Sequence, residues 1–594
     1  MWPQTEVAPA HRRTLARFAP LVLLGITLLG GGLRIFQIAN KGLWLDEAFS
    51  VWLGWQPLGQ MWGWLLRIDQ HPPLYYTLLH FWMYLGDSAG TVRLLSALLG
   101  TLTIPVIYCL SRRLLGSSAG LLAALILAVS PFHVRFAQET RMYTLLTFNA
   151  SLAMLALVYL LTDPRSAGMP IGSQLAAFYR TWRDARAAER GAQKRGAFDQ
   201  IGGYQHDLRW TTASVTAPRR RRWLPLSEIQ TDLAWLAYML FTAAAALSHN
   251  SAVLFPLATN LFVFGFIFWR RLSPGLRSQN PSRDDAGRSS PDAAQVIQTR
   301  PAGLGPPSPR NWLLAQLGVF LLWSPWLPGF VTQARGVYAE FWIPKPALAT
   351  VVATFGTFLS DMLPRRPAWI DVIWAGFALL AVLGIVALRR RPAIGALLLT
   401  LIATPLAGEW LVSLKRPIFY DRTLIWASVP LYLLLAAGLG RLRYRPGVLA
   451  GLALLVAVNG LSLNQYYYHF DKEQWQEAAA YVGQKVQDGD LLLFNATWAQ
   501  IPFDFYYRYN KRPLPEHGAP VDLFDRGVLE PKMTRADLPR LHDLIQGRRR
   551  VWLIYSHDWY TDPQHLIPAA LGQELNLLEQ RQFYGLQVQL YGIP

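Results

Sequence analysis

"FAPLVLLGITLLGGGLRIFQIANKGLWLDEAFSVW", residues 18–52, is the stretch that decides the fold. Its first part is an apolar run of the length needed to cross a hydrocarbon layer about 30 Å thick as a helix. Two adjacent carboxylates, Asp46 and Glu47, follow that run among leucine, tryptophan and phenylalanine. Carboxylates lose hydration in such surroundings, so this position calls for a compensating charge or for a chemical use.

Similar apolar runs recur through the whole chain of 594 residues. Hydrophobic residues make up 52% of the chain and charged residues only 16%. This composition predicts a mainly α polytopic membrane protein rather than a series of soluble domains. The single cysteine, Cys109, excludes an intrachain disulfide.

The formal net charge of +19 comes from basic clusters in the connections between the apolar runs. Examples are "HRRTLAR" (11–17), "PRRRRW" (218–223) and "RLRYR" (441–445). These clusters recur on alternate connections, as the positive-inside rule of membrane proteins requires. The pattern therefore indicates a membrane protein and argues against nucleic acid as a partner.

We predict a transmembrane helical bundle of about eleven crossings that starts from a cytoplasmic basic tail at 1–17 and ends outside. The predicted crossings are 18–38, 93–111, 114–130, 143–162, 232–248, 251–269, 311–330, 370–388, 393–414, 423–440 and 446–465.

Because the chain changes side at every crossing, the connections alternate between the cytoplasmic side and the outer side. Two long connections, 163–231 and 272–310, fall on the cytoplasmic side and have the composition of disordered or loosely ordered loops. On the outer side, 39–92 contains short aromatic and amphipathic segments, which predict helices lying in the membrane interface. Helical and strand patterns alternate in 466–594, which predicts an extracytoplasmic α/β domain after the membrane domain at 18–465.

The acidic and histidine-containing motifs all fall on the predicted outer side. Asp46 and Glu47 can be read as a cap of an interfacial helix or as reactive groups. The connection "PFHVRFAQETRMY" (131–143) brings Glu139, Arg141 and Tyr143 together, although anchoring to lipid headgroups would also use arginine and tyrosine there. These residues are candidates for substrate binding.

His71 and His249 each lie at an outer end of a predicted helix. A lone histidine more often makes a structural hydrogen bond than it binds a ligand. Two histidines near a carboxylate pair nevertheless leave a divalent metal site open as an alternative, because imidazole and carboxylate suit zinc or manganese.

The outer connection "LKRPIFYDRTLIW" (414–426) supplies two further candidates for substrate binding, Tyr420 and Arg422. Arginine on the outer side breaks the positive-inside trend, and its planar fork matches the oxygens of a phosphate. An anionic lipid substrate would account for it.

Together, the motifs around Asp46, His71, Arg141 and Arg422 resemble the GT-C membrane glycosyltransferases over about residues 15–465. The resemblance is to the branch of protein O-mannosyltransferases and bacterial aminoarabinose transferases, glycosyltransferase family 39. It implies transfer of a sugar from a polyprenyl-phosphate carrier to a lipid, glycan or protein acceptor on the outer face of the cytoplasmic membrane.

The resemblance also implies roles for single residues. Asp46 matches the proposed catalytic base, and Glu47 matches a neighbour that helps to hold the acceptor. His71 and His249 match positions that contact metal or substrate in some members. Arg422 matches a contact to the lipid phosphate, although relatives more often have Arg-Tyr where this chain has Arg422-Thr423.

A polyprenyl phosphate leaves as a stable anion, so one base and cationic stabilisation of the phosphate would suffice. Asp46 would be the base, and Arg422, with Arg141 or a metal ion, would stabilise the leaving group. Attack from the face opposite the phosphate predicts inversion at the anomeric carbon. The alternative is a transporter or flippase of polyprenyl-linked sugars or lipids, a class that usually places its ionisable residues near the membrane midplane.

Overall fold

A computed structural model describes most of the chain. The described residues are 9–68, 71–167, 183, 226–272, 304–336, 345–363, 369–442, 445–508, 513–525 and 531–593. The two predicted cytoplasmic loops, 163–231 and 272–310, lie largely outside these ranges, as does the start of the basic tail.

The membrane domain is a bundle of helices, α1 to α17, with short 3₁₀ turns between several of them. In chain order the helices are Pro9–Ile35, Leu45–Trp55, Leu58–Arg67, Leu74–Trp82, Ala89–Leu115, Ser117–Val129, Pro131–Ala137, Tyr143–Thr162, Leu226–Ala246, Leu254–Leu272, Pro309–Trp323, Leu327–Gly336, Leu348–Ser360, Ile370–Ala387, Pro392–Ser413, Ser428–Leu439 and Arg445–Tyr468.

The predicted crossings agree closely with these helices. Within the described residues, nine helical segments are long and apolar enough to cross a membrane, and the bent pair α6 and α7 would make a tenth. The remaining predicted crossing, 232–248, lies in α9, a 21-residue helix with Glu228 and Asp232 in its first half. The predicted polytopic helical fold is therefore confirmed, and the described residues contain nine or ten apolar spans where eleven crossings were predicted.

The bend between α6 and α7 has a local cause. Pro131 begins α7, and the side chain of Ser130 caps that helix by accepting from His133 N. The end of α6 is capped from another helix, because the Arg34 guanidinium donates to Leu127 O and Ala128 O at 3.1 Å each. Carbonyl groups at a helix end need such partners when they are buried. The chain therefore turns by 57° without leaving those carbonyls unpaired.

One end of the bundle collects the connections that were predicted to be cytoplasmic. Arg113, at the end of α5, donates to Thr162 at the end of α8 (2.6 Å). Gly305, before α11, donates to Leu161 O (2.6 Å). Arg391, before α15, donates to Leu114 O (3.4 Å). Helix ends that were predicted to lie on the same side of the membrane are thus close together in the structure.

The opposite end carries the short helices α2, α3 and α4 within the predicted interfacial segment 39–92. Helix α4 begins directly after Pro73, the position where a proline suits a helix start. Large apolar side chains such as Trp62 and Phe81 are exposed on these helices. Exposed aromatic residues are typical of helices that lie at a membrane surface.

The C-terminal region after α17 is an α/β domain, as predicted. Its elements in chain order are α18 (Trp475–Lys485), β1 (Leu491–Phe494), α19 (Gln500–Tyr507), β2 (Glu516–Gly518), α20 (Leu538–Ile545), β3 (Arg550–Ser556), α21 (Asp558–Thr561), α22 (Leu566–Glu574), β4 (Asn576–Phe583) and β5 (Leu586–Gly592).

The five strands of this domain form one sheet in the order β2-β1-β3-β5-β4. Strands β2, β1 and β3 are parallel, whereas β5 and β4 pair antiparallel at one edge. The buried strands β1 and β3 consist mainly of apolar residues and agree with the strand patterns predicted within 466–594. The sequence did not reveal β4, because this edge strand is mostly exposed and its pattern is polar.

Candidate active site

Helix α2 presents the adjacent residues Asp46 and Glu47 to two different environments. The side chain of Asp46 is 17% exposed, whereas that of Glu47 is completely buried. Successive residues on an α-helix point about 100° apart, so neighbours in sequence can serve different surfaces. The two carboxylates of the motif therefore have separate surroundings and separate partners.

Glu47 accepts four hydrogen bonds. Arg93 donates to its two oxygens at 2.7 and 2.6 Å, Lys472 donates at 2.9 Å, and the backbone N–H of Thr140 donates at 2.8 Å. Burial opposes ionisation of Glu47, but the charges of Arg93 and Lys472 outweigh it and lower its pKa to about 2. Glu47 is thus an ionised carboxylate whose hydrogen-bonding capacity is taken up by the protein.

Arg93 joins Glu47 to the segment that precedes α2. Besides its two bonds to Glu47, Arg93 donates to Ile38 O at 2.9 Å, Lys41 O at 2.6 Å and Gly42 O at 2.8 Å. A guanidinium offers five N–H donors in a fixed plane, so it can hold a loop and a helix at once. This arrangement fixes the start of α2 against α5.

Asp46 faces two arginines that come from distant parts of the chain. Asp46 Oδ2 lies 3.7 Å from Arg141 Nη2 and 3.6 Å from Arg422 Nη1. Arg141 also lies 3.3 Å from Asp46 O and 3.5 Å from Tyr76 Oη. Two guanidinium groups beside a partly exposed carboxylate suit an anionic ligand.

Arg422 lies among aromatic rings. Its guanidinium carbon is 4.6 Å from the ring centre of Tyr420, 5.6 Å from that of Tyr143 and 5.9 Å from that of Trp44. Such distances fit cation–π contacts, which orient a guanidinium without neutralising it. Five of the residues predicted from sequence are therefore brought together: Asp46, Arg141, Tyr143, Tyr420 and Arg422.

The 3₁₀ turn Asp421–Ala427, which carries Arg422, is held from two sides through Thr423. Its hydroxyl lies 2.9 and 2.8 Å from the two carboxylate oxygens of Glu409 on α15. Its backbone carbonyl accepts from Ser251 Oγ at 2.9 Å. Thr423 thus anchors the turn that carries Arg422.

Glu139 lies on the Glu47 side of the site. Its carboxylate is buried, 3.7 Å from Arg135 Nε and 3.9 Å from Lys472 Nζ. It therefore shares Lys472 with Glu47 and contributes to the buried ionic cluster.

His71 and His249 lie close together, with ring centres 5.4 Å apart. His249 Nδ1 accepts from the N–H of Ser251 at 3.1 Å, so that nitrogen is engaged. Burial, reinforced by the neighbouring His71, Arg141 and Arg422, lowers the pKa of His249 well below its usual value. The ring is therefore neutral at physiological pH.

These two histidines do not make a complete metal site. Among the described residues, no group of three or more histidine, cysteine or acidic side chains is placed to hold a metal ion. Catalytic zinc sites normally take three ligands from the protein. The donor set at His71 and His249 is thus too small for such a site, and a metal ion there is not confirmed.

Sequence reasoning missed Arg93, Lys472 and Glu409. Arg93 stands at the outer start of a predicted crossing, where it breaks the positive-inside trend as Arg422 does. Glu409 is an acidic residue inside a predicted crossing, a position that by itself suggests a role. Lys472 gave no local signal, because its partner Glu47 is 425 positions away in sequence.

Comparisons with known proteins identify a related family and a related fold. Residues 70–177 match the family model described as dolichyl-phosphate-mannose-protein mannosyltransferase. No curated protein sequence matches the chain. The match spans α4 to α8 and contains His71, Arg93, Arg141 and Tyr143.

Solved structures show the same fold over nearly the whole chain. The structure of ArnT from Cupriavidus metallidurans in the apo state aligns with a TM-score of 0.53 and 12% sequence identity, covering 97% of this chain and 98% of that one. The structure of ArnT from the same organism bound to undecaprenyl phosphate aligns with a TM-score of 0.50 and 12% identity, covering 96% and 97%.

The resemblance inferred from the motifs is therefore confirmed by an independent family model and by the three-dimensional fold. The chain is a multi-pass membrane protein with the fold of the GT-C glycosyltransferases, and over residues 70–177 it carries the sequence pattern of the dolichyl-phosphate-mannose-protein mannosyltransferase family.

Proposed function

We propose that this protein transfers a sugar from a polyprenyl-phosphate donor to an acceptor at the outer surface of the cytoplasmic membrane. The observation that carries the proposal is the position of Asp46, a partly exposed carboxylate 3.6 Å from Arg422 and 3.7 Å from Arg141 at one end of an apolar bundle. That arrangement combines a base with cations for a phosphate leaving group.

The reaction uses Asp46 as the general base. An acceptor hydroxyl oxygen forms the new bond to the anomeric carbon while the bond from that carbon to the phosphate oxygen breaks. The hydroxyl proton goes to Asp46, and the bonding electrons leave with the phosphate. Attack opposite the leaving group inverts the anomeric centre.

Arg422 and Arg141 stabilise the charge that develops on the phosphate. Guanidinium groups bind phosphate oxygens through paired N–H donors. The incoming phosphate therefore competes with Asp46 for these arginines, and donor binding releases the carboxylate to accept a proton. The aromatic rings of Tyr143, Tyr420 and Trp44 keep Arg422 oriented during this exchange.

Glu47 and Glu139 act as positioning residues in this mechanism. Glu47 is buried, ionised and fully hydrogen-bonded, so it neither contacts an acceptor nor accepts a proton. Its bonds to Arg93 and Lys472 set the direction in which the preceding residue, Asp46, points. Glu139 shares Lys472 and completes the charge balance of that cluster.

The carrier is a polyprenyl phosphate of the kind seen in ArnT from Cupriavidus metallidurans, whose structure was determined with undecaprenyl phosphate. The acceptor is a lipid, a glycan or a protein with a free hydroxyl. No step is assigned to a metal ion. His71 and His249, whose ring centres are 5.4 Å apart, are assigned to contact with the substrate. The C-terminal domain, which lies at the same end of the bundle as Asp46, is extracytoplasmic.

The transporter alternative gains no support from the geometry. In the described part of the chain, the cluster around Asp46 and Arg422 lies at helix ends and short turns, whereas transporters place such groups near the membrane midplane on broken helices.

The experiment compares purified wild-type protein with Asp46→Asn and with Asp87→Asn, a matched carboxylate change outside the site. Each is incubated with a panel of polyprenyl-phosphate sugars, and the released polyprenyl phosphate is measured. We expect release with at least one donor for the wild type and Asp87→Asn but not for Asp46→Asn. Equal release by all three proteins would remove Asp46 as the base. If no donor gives release and the protein moves lipid across the membrane of vesicles, the transporter alternative is correct and the proposed enzyme function is wrong.

A further inference from the structure

The segment before α2 contacts the C-terminal half of the chain at every second residue. Lys41 Nζ donates to Phe470 O at 2.6 Å, and Leu43 N donates to Tyr506 Oη at 2.6 Å. Leu45 N donates to Glu473 Oε2 at 3.1 Å. In an extended segment alternate residues face the same side, so one edge of residues 41–45 lies along the C-terminal domain.

The contact of Leu45 with Glu473 takes the place of a helix cap. Leu45 is the first residue of α2, and the preceding residue, Trp44, makes no side-chain cap to the helix. The first N–H groups of a helix have no partner within the helix and are normally satisfied by a nearby side chain. Here the acceptor is a carboxylate 428 positions away in sequence.

Glu473 is itself fixed by residues of its own domain. Its Oε2 also accepts from the indole of Trp475 at 2.6 Å, and its Oε1 lies 3.5 Å from His557 Nε2. The next residue toward the membrane, Lys472, binds Glu47. Two consecutive residues at the start of the C-terminal domain thus contact Leu45 and Glu47, which flank Asp46.

We propose that Glu473 is a positioning residue for Asp46: it caps the helix that carries the base, and thereby makes the reaction in the membrane domain depend on the docked C-terminal domain. This proposal rests on the proposed function for the role of Asp46. The physical contact between Glu473 and α2 stands without it. A negative charge at a helix N-terminus also interacts favourably with the helix dipole, which strengthens the cap.

The test uses three substitutions at position 473 and one control. Glu473→Ala removes the cap, Glu473→Asp shortens the side chain by one methylene while keeping its charge, and Glu473→Gln keeps an oxygen that can accept from Leu45. The control, Glu477→Ala, removes an exposed carboxylate four positions later, in the first turn of α18. Each full-length protein is first compared with the wild type for folding by thermal unfolding in the same detergent.

The first readout is amide hydrogen exchange of a peptide that covers residues 43–50, which does not depend on activity. A lost helix cap corresponds to about 2- to 30-fold faster exchange. We expect this increase for Glu473→Ala and Glu473→Asp, and wild-type exchange for Glu473→Gln and Glu477→Ala. If Glu473→Ala fails to fold, the comparison of Glu473→Asp with Glu473→Gln decides. Wild-type exchange in Glu473→Asp and, where it folds, in Glu473→Ala would overturn the proposal.

The second readout is turnover with a polyprenyl-phosphate sugar. We expect kcat to fall in Glu473→Ala and Glu473→Asp by a factor similar to the change in exchange, with the KM for the donor nearly unchanged, and Glu473→Gln to retain wild-type kcat. Faster exchange with unchanged kcat would overturn the positioning role. Absence of turnover in the wild type would contradict the proposed function, while the exchange data would still decide whether Glu473 caps α2.

Discussion

Arg93 meets Glu47 with two parallel hydrogen bonds of 2.7 and 2.6 Å in a part of the protein that excludes water. Asp46, the residue before Glu47, is partly exposed and lies 3.6 Å from Arg422 and 3.7 Å from Arg141, in looser ion pairs. The two adjacent carboxylates therefore behave differently. Glu47 is held in place by its hydrogen bonds, whereas Asp46 is able to exchange partners.

Replacement of Asp46 by asparagine should remove turnover without unfolding the protein. The amide keeps the size of the side chain but cannot serve as a general base, which contributes about 10²- to 10⁴-fold to a rate. The check is release of polyprenyl phosphate from a donor that the wild type uses, with thermal unfolding measured in parallel. A product of retained anomeric configuration from the wild type would contradict direct displacement assisted by Asp46.

Replacement of Arg422 by lysine should weaken binding of the donor phosphate. Lysine keeps the charge but loses the paired N–H donors and the planar contact with Tyr420. Loss of a hydrogen bond to a charged group costs about 1.5–3 kcal/mol, which predicts a rise in the KM for the donor of about ten- to a hundredfold. Arg67→Lys, an exposed change at the end of α3, is the control. An unchanged KM in Arg422→Lys would place the phosphate elsewhere.

Replacement of Glu47 by alanine should destabilise the fold strongly. It leaves Arg93 and Lys472 buried without their counter-charge, and removal of one partner of a buried pair costs about 3–5 kcal/mol. The measurement is the free energy of unfolding in denaturant. Glu579→Ala breaks an exposed pair with Lys485 and should change stability little. Equal effects of the two substitutions would show that the buried cluster does not hold the domain together.

The Glu47 cluster also predicts how stability depends on pH. The folded protein lowers the pKa of Glu47 from its usual value near 4.5 to about 2. The stabilisation is therefore fully present above about pH 4.5 and is lost as pH falls toward 2. Glu47→Gln should lack this component, so the difference in unfolding free energy between it and the wild type should shrink across that window. A difference that stays constant over the window would contradict the assignment.

Labelling of single cysteines can test the orientation of the chain. The natural Cys109 is first replaced by serine, after which Glu579→Cys and Arg390→Cys are labelled with a membrane-impermeant maleimide. Arg390 is exposed, and the side chain of Glu579 is 41% exposed. We expect Glu579→Cys to react in intact spheroplasts and Arg390→Cys to react only after lysis. The reverse pattern would put the site on the cytoplasmic side and exclude an outer acceptor.

The sequence predicted the part of this site that depends on local pattern. Arg422 was a candidate because an arginine on the predicted outer side departs from the positive-inside rule. The helix ends that lie together at one end of the bundle were predicted by counting the membrane crossings. The different directions of Asp46 and Glu47 could not be read, because adjacency in sequence does not say which side of a helix faces the protein. Lys472 and Glu473 were missed for another reason: their contacts with α2 close a loop of more than 420 residues.

That closure has a consequence for biosynthesis. Residues 41–47 leave the ribosome early, whereas Lys472 and Glu473 follow the last membrane helix. A nascent chain that has inserted all its earlier helices still has an uncapped α2 and a Glu47 without its lysine. By the proposed role of Glu473, the full rate of sugar transfer is therefore reached only after the C-terminal domain has been made and has docked against α2.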